Sequence, residues 1–210
     1  MHIKIWDLPL RLFHWALASA VTGSLLSASL GEGWMQWHHR CGVAVIGLLA
    51  FRLAWGLCGS TYARFERFAP TPRRLAAQWR GQWQGAGHTP IGALSVLAML
   101  GLFTLQAVTG LFSSDDVSFS GPWAGHVPAQ FSRLASSWHR STEELLYGLI
   151  GLHLLAITAY QLRGKRLLGA MVHGRKTVPA TAEPPISAHP AAVVASLVAA
   201  GLAIWLASGL

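Results

Sequence analysis

At 210 residues, 52% hydrophobic and 11% charged, with a mean hydropathy of +0.41, the chain is too apolar for an ordinary soluble domain and reads as a polytopic membrane protein. A formal charge of +8 invites nucleic acid as a partner, but the basic residues sit in loops between apolar runs, where they orient a chain in the lipid bilayer, so nucleic acid is set aside. The only cysteines, Cys41 and Cys58, fall on one predicted helix about 25 Å apart and cannot bridge each other.

The first apolar stretch runs from about Leu12 to Leu30. Asp7, Arg11 and His14 interrupt its start and it is long enough to span once, so it reads as a retained helix in preference to a cleaved signal peptide. A short turn leads to a second span, about Cys41 to Cys58, with His38 and His39 at its entrance. His14 and His38 therefore begin at opposite membrane surfaces. Arg52 follows His38 by fourteen residues, repeats its face and drops to the level of His14.

After the loop Gly59 to Pro90, a third span is predicted over Ile91 to Phe112. Gly110, near its far end, could let a bulky group approach the backbone. The fourth span, Ser137 to Leu162, carries His139 and His153. Fourteen residues at about 100° each make nearly four turns, so both rings leave one face, roughly 21 Å apart along the axis. A fifth apolar stretch, Ala191 to Leu206, has no ionisable residue and reads as a packing or anchoring span. The expected fold is all-α, an integral membrane helical bundle: a four-helix core over 1–176, a cytoplasmic linker at 177–190 and a further transmembrane helix at 191–210.

Charge orients this bundle. Lys4, Arg11, Arg64, Arg67, Arg73, Arg74, Arg80, Arg163, Lys165, Arg166, Arg175 and Lys176 fall on one side. Arg40, Arg133 and Arg140 fall on the other with Glu32, Asp115, Asp116, Glu143 and Glu144. The positive-inside bias makes the first side cytoplasmic, which puts the N-terminus inside and Leu210 outside.

At these depths two pairs form, His14 with His153 and His38 with His139. Facing imidazoles in a bundle can hold an iron macrocycle, so the reading is two stacked haems b, with the four histidines as axial ligands of the haem iron. Zinc or copper would want three or four converging donors, and the acid nearest a pair is Glu143. No CxxCH, phosphate-binding glycine loop or GxSxG is present, so no active site built of side chains is visible. His38 is preferred to His39 because Gly42 lies one turn on along the same face, giving a macrocycle room, whereas His39 points about 100° away toward headgroup or loop. Arg52 can pair with a haem propionate. His88, at the cytoplasmic surface, can be read as a solvated loop residue or as a contact to a propionate or quinone head. His2, His126, His173 and His189 are assigned nothing.

The stretches DLPLRLFHW at 7–15, HHRCGVAVIGLLAFRLAWGLCGSTYARF at 38–65 and GHTPIGALSVL at 87–97, with the His139/His153 pair, resemble the bacterial cytochrome b561 family, which includes the b-type cytochrome subunit of nickel-iron hydrogenases. The resemblance covers about Trp6 to Lys176. It implies four helices holding two haems b on His14, His38, His139 and His153, in a protein of the bacterial inner membrane that carries electrons between a periplasmic redox partner and the quinone pool. SSDDVSFSGPWAG and AMVHGRK look closer to the branch associated with small c-type cytochromes, so the expected partner is a periplasmic c-type cytochrome or similar protein. Superoxide oxidation coupled to quinone and a hydrogenase subunit are alternatives. A transporter or membrane anchor is the rival outside electron transfer, and continuous spans disfavour a carrier.

Overall fold

The computed structural model describes residues 2–115, 117, 119–178 and 183–209; Asp116 and Leu210, which the charge count assigned to the outer side, lie outside the described residues. Helix α1 (Leu8–Ser29) starts where the Asp7 carboxylate accepts the Leu10 amide at 2.7 Å, with a proline in its first turn. After a 3-10 turn at Glu32–Trp34, α2 (Met35–Cys58) runs back alongside it. The Trp55 indole donates to the same Asp7 carboxylate at 3.1 Å and the Ser60 hydroxyl donates there too, tying the start of α1 to the end of α2. Short helices α3 (Phe65–Phe68) and α4 (Pro72–Trp79) carry the arginine-rich loop. Thr89 and Pro90 then open α5 (Pro90–Phe112), the Thr89 hydroxyl accepting the Gly92 amide at 3.1 Å.

The single fourth helix expected over Ser137 to Leu162 is corrected to two, α6 (Ala129–Ser141) and α7 (Glu143–Leu162). They meet at Thr142, whose φ of −93° and ψ of 0° leave the helical region and whose hydroxyl donates to the Trp138 carbonyl at 2.7 Å. A threonine hydroxyl competing for a helix carbonyl is a recognised cause of such bends. His139 therefore closes α6, while His153 sits within α7.

Helix α8 (Leu167–His173) ends at Gly174, whose φ of 77° suits glycine, and β2 (Arg175–Thr177) follows. It pairs antiparallel with β1 (His2–Lys4), joining the two ends of the four-histidine region. Both strands were read as loops; three residues are too few to show an alternating pattern. The last helix, α9 (Pro190–Ala207), packs on α2. At Gly47 an added Cβ would fall 2.5 Å from Ile204, so the glycine lets the helices close. Gly47 lies nine residues beyond His38, on the opposite face of α2. Ahead of α9, the segment read as a linker is docked where it is described: Thr61 and Ile186 exchange hydrogen bonds and Arg67 meets Glu183 at 3.2 Å.

Among the described residues, four helical stretches are long and apolar enough to cross a membrane: Glu32–Cys58, Pro90–Phe112, Ala129–Leu162 and Pro190–Ala207. Helix α1 is not among them, since Arg11, His14 and its serines dilute an otherwise apolar sequence. Its 22 residues nonetheless rise about 33 Å and it packs along α2. The core joins Phe13, Leu17 and Val21 of α1 to Val45, Leu49 and Phe51 of α2 and to Phe103 of α5. Helix α7 stands apart, with Leu146 its one buried residue. His38 and His139 line a cavity that Leu146 of α7 also bounds.

Candidate functional site

The bundle brings the four histidines together in two pairs. The His38 and His139 rings have centroids 6.0 Å apart and planes at 88°. The His14 and His153 centroids are 6.5 Å apart, with planes at 46°. The two levels are separated by about the rise of α1 from His14 to Ser24, roughly 15 Å, because Ser24 touches His38. A metal–nitrogen bond of about 2.0 Å on each side, plus about 1.1 Å from nitrogen to ring centre, would put facing imidazole centres about 6 Å apart. Both pairs have that spacing.

At the His38–His139 pair, called outer after the side that the charge bias leads one to expect, the ring orientation is held by main chain; the His14–His153 pair is called inner in the same sense. His38 Nδ1 lies 2.9 Å from the Ser24 carbonyl and 3.1 Å from the Ser24 hydroxyl. His139 Nδ1 lies 2.9 Å from the Gln106 carbonyl, with the Thr109 hydroxyl at 3.4 Å. A carbonyl only accepts, so each Nδ1 carries the proton and donates it, which leaves the Nε2 lone pair free for a metal. His139 lies against the backbone of α5 at Gly110, where an added Cβ would come within 3.1 Å of its Cε1 atom. The approach anticipated at Gly110 is thus made by the histidine ring.

A cavity of about 270 Å³ adjoins this pair, walled by His38, His39, Gly42, Gln106, His139 and Arg140. Nothing lies within 4 Å of where a Gly42 Cβ would stand, so the glycine forms open wall. His39 also faces this cavity, with Phe119 of the following loop 6.1 Å from its ring. Toward the other end, His14 Nδ1 is buried with no hydrogen-bond partner.

Arg52 is 2% exposed, its guanidinium 4.5 Å above the Phe65 ring and 5.9 Å from Phe68, and its Nη1 is buried without a partner. His88 lies inside the arginine-rich end instead of on its surface, between Trp6 at 4.5 Å and Phe68 at 4.6 Å. Burial, then the positive charges of Arg52 and Lys176, push its pKa down to about 3, so the ring is neutral. Among the described residues no three His, Cys, Asp or Glu side chains converge as a metal cluster would need.

Sequence reasoning missed Ser24, Gln106 and Thr109 as partners of the outer histidines. His139 meets the main-chain carbonyl of Gln106, a group every residue carries, so the side chains of α5 gave no signal for it. The aromatic walls around His88 left no trace in spacing.

A model of the prokaryotic cytochrome b561 family matches residues 5–174, which takes in all four histidines and stops before α9. No curated protein and no solved structure matches the chain.

Proposed function

The chain belongs to the prokaryotic cytochrome b561 family of membrane b-type cytochromes that transfer electrons, and from that premise we propose that it is a diheme relay. One haem b is held by His38 and His139 and a second by His14 and His153. Electrons pass between a redox protein at the outer face, such as a c-type cytochrome, and a membrane quinone. The observation that carries this reading is the pair of ring separations, 6.0 and 6.5 Å, at two depths of one bundle.

The residues fit the group. Haem, when bound, supplies the one-electron iron couple. His38 and His139 each give their Nδ1 proton to a carbonyl, which fixes the ring and makes Nε2 more basic. The partnerless His14 Nδ1 and Arg52 Nη1 are polar atoms that a bound group or its propionates would engage. Gly42 keeps the cavity wall flat enough for a macrocycle face. Two imidazoles per iron leave no open position for oxygen or substrate, which favours relay over chemistry at the metal.

Pyridine haemochrome analysis of the purified protein tests this directly. The expected result is two haems b per chain, with His153→Ala losing one and keeping the other. A colourless preparation from haem-replete cells ends the haem reading, and loss of both haems in His153→Ala ends the assignment of independent sites.

A further inference from the structure

At the arginine-rich end of the bundle, one helical turn before His14 on α1, a second pocket opens between β1, the first turn of α1, the end of α8 and β2. Its walls are Lys4, Arg11, Val172, His173 and Arg175. Among these residues there is no carboxylate. The nearest acid in sequence, Asp7, is already committed to the Leu10 amide, the Trp55 indole and the Ser60 hydroxyl.

Three features of this pocket go against the cations that line it. The register of the strand pair sets Lys4 directly opposite Arg175, and like charges facing each other across an antiparallel pair are destabilising. Arg11 reaches the same place from α1, one guanidinium nitrogen donating to the Val172 carbonyl while its Nε is buried with no partner. Gly174, in the left-handed conformation, lets that guanidinium lie against the chain, since an added Cβ would come within 3.2 Å of Arg11 Nε. Lys4 and Arg175 thus stand beside an unsatisfied Arg11 donor, and among the described residues lining the pocket no carboxylate offsets the three charges.

We propose that this pocket is a binding site for a phosphate group, presented by an anionic phospholipid headgroup or by a soluble phosphate compound. A phosphate oxygen would accept from Arg11 Nε, and Lys4 and Arg175 would flank the same anion, converting a cross-strand repulsion into two attractions. The pocket lies at the start of α1, which the Trp55 and Ser60 contacts to Asp7 hold beside the end of the apolar helix α2, where a headgroup would be within reach of a chain that spans a membrane.

The test uses the full-length holoprotein in neutral detergent and follows its thermal midpoint. Dioleoyl-phosphatidylglycerol is expected to raise the midpoint and dioleoyl-phosphatidylcholine to leave it unchanged. Lys4→Gln/Arg175→Gln should bind the anionic lipid roughly thirty-fold more weakly, two basic contacts being removed. Arg73→Gln/Arg74→Gln, with the same loss of charge elsewhere, should respond as the unmodified protein does. An equal response to inorganic phosphate assigns the site to soluble phosphates and supports it; a response to the lipid alone assigns it to headgroups. Equal lipid responses in the two double variants would overturn the site, as would no response to either anion. A normal haem spectrum in both variants separates this result from any failure of the cytochrome reading.

Discussion

The two histidine pairs are alike in spacing and unlike in support. Both outer rings are held by carbonyls: His38 by Ser24 and His139 by Gln106, with Gly110 admitting the second ring against α5. At the inner pair, His14 Nδ1 has no partner, and its opposite ring stands on α7, which buries only Leu146. The difference teaches that main-chain carbonyls fix the rings at one level and not at the other. Rings already held lose less conformational freedom on binding, so the outer level should also fill first when haem is limiting.

The comparison breaks most sharply at Gly110. On the two-haem reading, Gly110→Val pushes a branched side chain into the His139 ring, and about half the haem b should be lost while the inner level keeps its spectrum. Haem-to-protein ratio with low-temperature difference spectra measures this; an unchanged ratio would mean that the outer ring is not a ligand.

A smaller effect separates the levels from the other side. On the proposed pairing of Arg52 with a propionate of the haem on His14 and His153, Arg52→Gln removes a buried positive charge from that level alone, so its midpoint potential should fall by on the order of 50 mV and the other should hold. Potentiometric titration reads both. Equal shifts at the two levels would remove Arg52 from the inner site.

The smallest effect concerns the arginine-rich end. His88 is held at about 3 in the folded protein against 6.5 for the free side chain, so between those values the unfolded chain binds the extra proton. Stability should accordingly fall as pH drops below about 6.5 and go on falling toward about 3. His88→Gln should flatten that part of the curve in thermal denaturation followed from about pH 7 to pH 5. A slope unchanged by the substitution would assign the acid sensitivity to other groups.

Local periodicity was sufficient for a large share of the molecule. Apolar runs located α5 and α9 to within one residue at each end and fixed where α2 and α7 end, though not where they begin, because a helix in hydrocarbon must satisfy its backbone internally and shows its length in composition. The rise per residue matched His14 with His153 and His38 with His139 in depth even though His139 and His153 stand on separate helices that meet at Thr142. Contacts across the chain were another matter. The bend at Thr142, the carbonyls that orient His38 and His139, the pairing of His2–Lys4 with Arg175–Thr177 and the seat of α9 at Gly47 each depend on which segments become neighbours. Spacing along one helix carries no record of the atom that will stand opposite it, so only the tertiary structure decides these features.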